Sequence, residues 1–235
     1  MECGVRIDMY KIEILNDCNN NKFNQLTELI RKFAIDVFIV QKFNLSNESY
    51  NKKEKYINNY KNYLSSEELI YLNKDINERI EFAINSINST NADKKTRYYI
   101  LLNEEKVIAF QTAQVRKENN RIEGWRNFAY TENTYKGKVC NVVDTFGYTK
   151  KGITSNLIYE NITKWFIEEK VEIEKTATGK NMYKNIKLYI IKKGFIPEKY
   201  DDKRIYLIKD YAKNNSKIEL KHIYEEYIKK LKVKL

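Results

Sequence analysis

The sequence has 235 residues, of which 42% are hydrophobic and 13% aromatic, so it is long and apolar enough for one domain with a sizeable core and is unlike a disordered chain. Its formal charge of +11 indicates an anionic partner or ligand, although the basic residues are spread along the chain rather than gathered in one block. No apolar run is long enough to span a bilayer and no leader-like segment opens the chain, so we expect a soluble, cytoplasmic protein without a membrane partner.

The first predicted elements are one strand followed by helices. Residues 10–15 alternate between apolar and polar side chains, which favours a strand. Residues 24–38 repeat apolar side chains at helical spacing, and residues 46–90 form a second, longer helical segment. Within that segment Ser65 stands three residues before Glu68, which is the signature of a capping box at a helix start.

The middle of the sequence predicts antiparallel strands. Residues 98–102 and 107–115 read as a hairpin around a short polar turn. Residues 121–131 and 138–146 read as two further strands. These strands lead into the most informative stretch of the chain.

That stretch combines a buried strand, a turn and a helix. Residues 142–146 predict the strand, and residues 149–154 predict a glycine-containing turn that opens into an amphipathic helix. A helix N-terminus offers unpaired N–H groups and partial positive charge. Gly152 would let the backbone approach a ligand, while Lys150 and Lys151 add cationic charge, so the turn indicates a pyrophosphate site.

The last third continues the alternation of strands and helices. Residues 171–178 predict a strand, residues 181–194 a helix and residues 204–208 a late strand. Residues 212–235 predict a basic amphipathic helix. Its apolar face is no wider than a packing stripe, which favours packing on the domain or on a second copy over membrane binding.

The scarcity of histidine and the cysteine pattern limit the chemistry. Cys3, Cys18 and Cys140 are odd in number and lack CxxC spacing, which argues against a disulfide framework and a cysteine metal site. His222 is the single histidine, so histidine triads and multi-histidine metal sites are not expected.

The turn at 149–154 and the helix that ends in Gly194-Phe195 together carry a resemblance. With the order of elements, they make residues 98–210 similar to the GNAT superfamily of acyl-CoA N-acyltransferases, and residues 10–43 fit that family's opening strand and helix. The resemblance implies an α/β fold with a mixed, mostly antiparallel central sheet flanked by helices. It also implies a sheet splayed between the strand ending near Phe146 and the strand at 171–178.

The resemblance further implies a single domain, residues 1–235. Residues 46–90 would be an enlarged helical segment that covers the acceptor side, and residues 212–235 a C-terminal helix. A homodimer is compatible with this organisation.

The resemblance implies acetyl-CoA, or another acyl-CoA, as co-substrate. In the family the turn wraps the pyrophosphate of coenzyme A, and here Gly152 matches the pattern while Thr149 and Thr154 stand at its outer positions. A free backbone N–H at the splayed strand end would serve the pantetheine arm and the oxyanion. The expected cofactor-binding residues are Val143, Thr145, Phe146, Thr149, Lys150, Lys151, Gly152, Ile153, Thr154 and Asn181.

The family's general acid is a tyrosine of the second helix, and Tyr189 is its candidate here. Tyr189 precedes Gly194 by one residue more than is usual, and strict alignment on Gly194 would place Ile190 at the tyrosine position. One extra residue near the helix C-terminus would restore Tyr189, and Tyr183 is the alternative. The role required is protonation of the departing thiolate.

The general base should be a carboxylate, acting directly or through water. Asp144 is the first candidate because it lies in the strand that leads to the cofactor turn, and Glu123 and Glu132 are alternatives beside neighbouring strands. The sequence does not choose among the three.

The favoured function is therefore an N-acyltransferase that moves acetyl from acetyl-CoA to a primary amine of a small molecule or peptide, by direct attack in a ternary complex. One alternative is an inactive relative that only binds coenzyme A. Another is an RNA-binding or tRNA-directed acyltransferase, suggested by the +11 charge, although nucleic acid is not favoured.

Overall fold

The computed structural model is an α/β fold built on one nine-stranded sheet, and it describes residues 9–46, 48–118, 120–179, 182–213 and 215–233. The strands are β1 (Met9–Leu15), β2 (Lys94–Asn103), β3 (Lys106–Glu118), β4 (Arg121–Thr131), β5 (Val139–Val143), β6 (Thr149–Ile153), β7 (Ile173–Gly179), β8 (Ile196–Tyr200) and β9 (Arg204–Asp210). Their order across the sheet is β6-β5-β1-β2-β3-β4-β7-β9-β8. Among these strands, β1 with β5 and β4 with β7 are parallel, and the other neighbours are antiparallel. The predicted mixed, mostly antiparallel sheet is confirmed.

One face of the sheet is covered by α1 (Asn21–Lys42) and α3 (Ser66–Ile87), with α2 (Tyr50–Asn58) between them in the chain. Apolar side chains recur at helical spacing on α1 and α3, so each helix buries one stripe against the sheet. The predicted capping box is present, because Ser65 and Glu68 each accept a hydrogen bond from the other's backbone N–H. The core on this face includes Leu26, Ile30, Ala83, Ile100 and Phe110.

The opposite face is covered by α4 (Thr154–Glu168). Its buried residues pack with Tyr99 and Leu101 of β2, whereas Tyr98 and Ile100 pack with α1. Successive strand residues point to opposite faces, so α4 and α1 lie on opposite sides of the sheet. The apolar face predicted for α4 is confirmed by Leu157, Ile158, Ile162, Trp165 and Phe166.

The C-terminal third adds α5 (Tyr183–Lys187), which continues into a π-helical turn (Leu188–Lys192), and then α6 (Lys217–Val233). Leu220 and Tyr227 of α6 are buried in one cluster with residues of α5 and the π-helical turn. The C-terminal helix therefore packs on its own domain, as predicted. Strand β8, which pairs with β9, was not predicted.

The β5–β6 hairpin is where the sequence-based expectation is wrong. Residues 149–154 do not form a turn, because Thr149–Ile153 is strand β6 and Gly152 is paired with Cys140. The turn comes earlier, at residues 144–148, where Gly147 takes a positive φ of 82°. Strand β5 pairs with β1, so it does not border the splayed part of the sheet.

No helix among the described residues is long and apolar enough to cross a membrane.

Candidate active site

The sheet opens between β4 and β7. The two strands pair in parallel from Glu123–Ile173 to Arg126–Thr176, and the described residues beyond those pairs, 127–131 of β4 and 177–179 of β7, do not pair with each other. We call the space between these two ends the interstrand gap. The predicted place was wrong, because residues 121–131 (β4), and not the strand that ends near Phe146, lie beside β7.

A bulge in β4 coincides with the start of the interstrand gap. Between the pairs Ala113–Arg126 and Gln111–Ala129, β3 contributes one residue and β4 contributes two. An extra residue bends and twists its strand. The bulged end of β4 therefore diverges from β7 while it stays attached to β3.

Tyr189 lies at the narrow end of the interstrand gap. Its side chain lies close enough to Thr176, the last residue of β7 that pairs with β4, for the threonine to lower its pKa against the effect of burial. Thr176 Oγ1 in turn donates to the carbonyl oxygen of Arg126 at 3.2 Å. The Tyr189 ring packs edge-on against Phe195, with ring centroids 5.5 Å apart. Burial raises the pKa of Tyr189, so the phenol keeps its proton at neutral pH.

The π-helical turn accounts for the unusual spacing before Gly194. A π turn places one additional residue in a helix. It spans Leu188–Lys192, and the N–H of Phe195 donates to the carbonyl oxygen of Tyr189 at 3.1 Å. Ile190 is fully buried, and Tyr189, which packs against the same cluster, also reaches Thr176 of β7. This is the extra residue that the Tyr189 assignment requires.

A buried ion pair joins β4 to β7 directly below the interstrand gap. Arg126 Nε donates to Glu174, and the two side chains are 1% and 0% exposed. The Arg126 guanidinium also donates to the backbone oxygen of Tyr159 at 3.1 Å and to the hydroxyl of Thr163 at 2.7 Å. The Tyr211 hydroxyl donates to the second Glu174 oxygen at 2.6 Å. A buried charge pair with its partners satisfied is demanding in geometry, so it fixes where the two strands part.

The N-terminus of α4 lacks a side-chain cap. Ile153 occupies the capping position and cannot accept hydrogen bonds through its side chain. The hydroxyl of Thr154 is buried and has no partner among the described residues. Lys193 lies nearby, with Nζ 3.4 Å from Asn156 Oδ1 and 4.0 Å from the Tyr159 ring centroid, and burial lowers its pKa. The helix end thus gathers unpaired donors that an anion can satisfy.

The predicted cofactor residues divide between the two ends of the β5–β6 hairpin. Gly152, Ile153 and Thr154 lie at the α4 end. A Cβ at Gly152 would lie 3.2 Å from Leu157, so this glycine allows close packing of β6 on α4. The residues at or near the turn end are Val143, Thr145, Phe146 and Thr149.

The remaining predicted cofactor residues show no geometry directed at a ligand. Lys150 Nζ lies 3.5 Å from Glu160, and Lys151 is an exposed residue of β6. Thr145 donates to the Asn161 side chain from both its N–H and its hydroxyl. Asn181 lies outside the described residues.

Asp144 holds the hairpin turn rather than facing the interstrand gap. Its Oδ1 accepts from the N–H groups of Phe146 and Tyr148 at 2.9 and 3.0 Å, and its Oδ2 lies 2.9 Å from Lys164 Nζ. Burial alone raises the pKa of Asp144, but the hydrogen bonds from Lys164 and the two amides bring it below its usual value. This environment stabilises the ionised form, so Asp144 is a poor proton acceptor.

The two alternative carboxylates are also engaged. Glu123 is bound by Lys175 at 2.7 Å and lies where β4 and β7 are still paired. Glu132 lies 2.7 Å from both Lys32 and Lys106, and these lysines hold its pKa below its usual value against the effect of burial. Both acids are therefore held as ion-pair partners.

Sequence reasoning missed Arg126, Glu174 and Lys193. Arg126 lies on the same face of β4 as Gly124, and the backbone of Gly124 packs against Phe166. A charged residue on this core-facing side of the strand was the signal in the sequence that could have identified Arg126. Such a charge requires a buried partner on a neighbouring strand. Within the described part of the chain, no group of histidine, cysteine or acidic side chains could hold a metal ion.

No family model matches the chain, and no curated protein matches it. Solved structures do. PaiA N-acetyltransferase from Thermoplasma acidophilum in complex with coenzyme A is 15% identical with a TM-score of 0.49, over 85% of this chain and 99% of that one. A probable acetyltransferase from Staphylococcus epidermidis is 13% identical with a TM-score of 0.48, over 86% and 99%. The Campylobacter jejuni N-acetyltransferase PseH in complex with acetyl coenzyme A is 18% identical with a TM-score of 0.39, over 85% and 99%.

Proposed function

We propose that this chain is an acyl-CoA N-acyltransferase that transfers an acetyl group from acetyl-CoA to a primary amine. The observation that carries the proposal is the protonated phenol of Tyr189 at the narrow end of the interstrand gap. A thioester placed there would have a proton donor beside its sulfur and unpaired strand backbone beside its carbonyl.

The unpaired edge of β4 suits the pantetheine arm of the cofactor. This arm is an extended chain with two amide groups, and an extended chain can add to a free strand edge through main-chain hydrogen bonds. The described residues of β4 beyond Arg126 have no partner on the β7 side. The arm would run along them toward Tyr189.

The N-terminus of α4 suits the pyrophosphate of the cofactor. Its uncapped N–H groups and the unpartnered hydroxyl of Thr154 are donors without acceptors, and Lys193 brings a positive charge beside them. Phosphate groups bind at such helix ends because the N–H groups and the helix dipole both favour an anion. Gly152, Ile153 and Thr154 would line this part of the site.

The transfer would proceed in one displacement. The amine nitrogen would attack the thioester carbonyl carbon, and a backbone N–H on the edge of β4 that faces the interstrand gap would stabilise the charge that develops on the carbonyl oxygen. As the C–S bond breaks, Tyr189 donates its proton to the sulfur, which leaves as the thiol. The amine nitrogen gives up one proton, which returns to the tyrosine through water, and an amide is formed.

Calorimetry with coenzyme A and with pantetheine tests the proposal. Coenzyme A should bind, and pantetheine, which lacks the pyrophosphate, should bind at least about tenfold more weakly because the α4 end would be left empty. Incubation with acetyl-CoA and a mixture of primary amines should yield N-acetylated product by mass spectrometry. Absence of coenzyme A binding would contradict the proposal, and binding without any transfer would favour an inactive relative.

A further inference from the structure

A partly buried carboxylate, Asp36, lies on the face of the sheet opposite α4, beside the half of β4 that does not pair with β7. Phe33, one turn earlier in α1, packs against Phe128 and Tyr130 of β4 with centroid distances of 5.8 and 6.4 Å. Lys136 Nζ lies 3.7 Å from Asp36 and 5.3 Å from the Tyr130 ring centroid. These contacts place the carboxylate next to the stretch of β4 that borders the interstrand gap.

Charged groups from several elements surround Asp36. Lys53 of α2 and Lys136, which follows β4, are close enough to lower its pKa, yet burial outweighs them and the pKa of Asp36 is raised. Burial also lowers the pKa of Lys53, and Lys184 of α5 and Lys136 lower it further. On α1 itself, Lys32 precedes Asp36 by about one turn and is held by Glu132.

Asp36 therefore differs from the three acids predicted from the sequence. Asp144 is held at 2.9 Å by Lys164, and Glu123 and Glu132 are held at 2.7 Å by lysines. Asp36 has a longer, 3.7 Å contact with Lys136, and its side chain keeps 21% exposure. It is a carboxylate that can take up a proton and that solvent can reach.

The interstrand gap gives Asp36 a route to the reaction. Where two neighbouring strands separate, groups on one face of the sheet can reach groups on the other face through the opening. The acyl donor proposed above would enter from the α4 side, which leaves the α1 side for the acceptor. An amine on that side passes Asp36 before it meets the thioester near Tyr189.

Resting on the proposed acyltransferase function, we propose that Asp36 takes the proton from the acceptor ammonium group before attack. The proton passes from nitrogen to the carboxylate, which leaves a neutral amine with a free lone pair and a carboxylic acid that later returns the proton to water. The nearby cations Lys53 and Lys136 disfavour the ammonium form and so promote its deprotonation.

The test compares Asp36→Asn with Glu28→Gln, a change at an exposed acid two turns earlier on α1. The donor is acetyl-CoA, and the acceptors are ethylamine, a cation near neutral pH, and 2,2,2-trifluoroethylamine, which is largely neutral there. Asp36→Asn should lower kcat/KM for ethylamine by about a hundred- to ten-thousand-fold and for trifluoroethylamine by less than about tenfold. Coenzyme A affinity should be unchanged in both variants, and Glu28→Gln should match the wild type throughout.

Each other outcome is decisive. Equal losses for the two amines would show a structural role for Asp36 and overturn the assignment, whereas a failure of the wild type to bind coenzyme A would overturn the proposed function as well. If the wild type binds coenzyme A but turns over neither amine, carbon-13 NMR of labelled aspartate decides. The resonance lost in Asp36→Asn must then shift when ethylammonium is added, and a resonance that stays in place overturns the assignment.

Discussion

Among single residues, Tyr189 gives the most direct prediction. Tyr189→Phe keeps the ring against Phe195 and removes the hydroxyl, so kcat should fall by about a hundred- to ten-thousand-fold with little change in KM for acetyl-CoA. Tyr183→Phe is the matched control, because Tyr183 lies at the start of the same helical segment and is the alternative candidate for the acid. Steady-state kinetics check both variants, and the reverse ranking would assign the acid to Tyr183.

Thr154 should show opposite effects on stability and on binding. Its buried hydroxyl has no hydrogen-bond partner among the residues that the structure describes, and an unsatisfied buried polar group typically costs about 1–3 kcal/mol. Thr154→Val removes that group at similar volume, so the free protein should melt at a higher temperature while its affinity for coenzyme A falls. Differential scanning calorimetry and titration calorimetry measure the two effects. A fall in both quantities would mean that the hydroxyl supports the fold and does not bind phosphate.

The stability of the protein should depend on pH through Asp36. Its folded-state pKa is raised above the ordinary value of 3.8, so ionisation opposes folding, and the contribution of Asp36 to stability is lost as pH rises through the raised pKa. Asp36→Asn should therefore melt at a higher temperature than the wild type at neutral pH and at about the same temperature near pH 3. Thermal unfolding at both pH values checks this expectation. A variant that is less stable at neutral pH would indicate a stabilising ion pair with Lys136.

At the level of elements, the π-helical turn decides where Tyr189 lies. Deletion of Lys192, an exposed residue of that turn, removes the extra residue, so Tyr189 and Phe195 cannot both keep their positions. We expect kcat to fall by at least about a hundredfold while coenzyme A still binds. Lys192→Ala keeps the length of the turn and should be active, and an active deletion variant would show that the register is not needed.

The same element shows what sequence spacing can reveal. The one extra residue between Tyr189 and Gly194 indicated an irregular helix end, and the π-helical turn lies there. Spacing did not reveal the partner of β5, because a short apolar strand carries no mark of its neighbour. Cys140, Val142 and Val143 suit a strand beside β1 as well as a strand beside β7.

For the whole molecule, the charge of +11 predicts a salt effect on cofactor binding. Coenzyme A carries several negative phosphate charges, and salt screens their attraction to exposed cations. Raising the salt concentration from about 0.05 M to about 0.5 M should weaken coenzyme A binding by about tenfold and leave the binding of uncharged pantetheine unchanged. Titration calorimetry at the two concentrations checks both ligands. Equal effects on both would show that phosphates do not guide binding.

At this scale the sequence predicted the class of fold and most elements, but not the place of the opening in the sheet. Helices α1, α3 and α4 and the β2–β3 hairpin follow from local periodicity and capping, which neighbouring residues determine. The interstrand gap depends on which strand lies beside β7, and the pairing of Glu123 with Ile173 is a tertiary choice. For the same reason Asp36 was not singled out, since the cations that act on it, Lys53 and Lys136, come from distant parts of the sequence.

The β5–β6 hairpin also has a consequence for the order in which the protein folds. Between β4, which borders the interstrand gap, and α4, the chain crosses to the far edge of the sheet and pairs β5 with β1, so Met9 lies opposite Asn141. Contacts between distant parts of a sequence form slowly because a long loop must close first. The side of the interstrand gap that β4 forms depends only on the pairing of β4 with its hairpin partner β3. The N-terminus of α4 reaches its place only after β5 has paired with β1. The two halves of the site are thus completed at different times, and coenzyme A binding during refolding would report the later one.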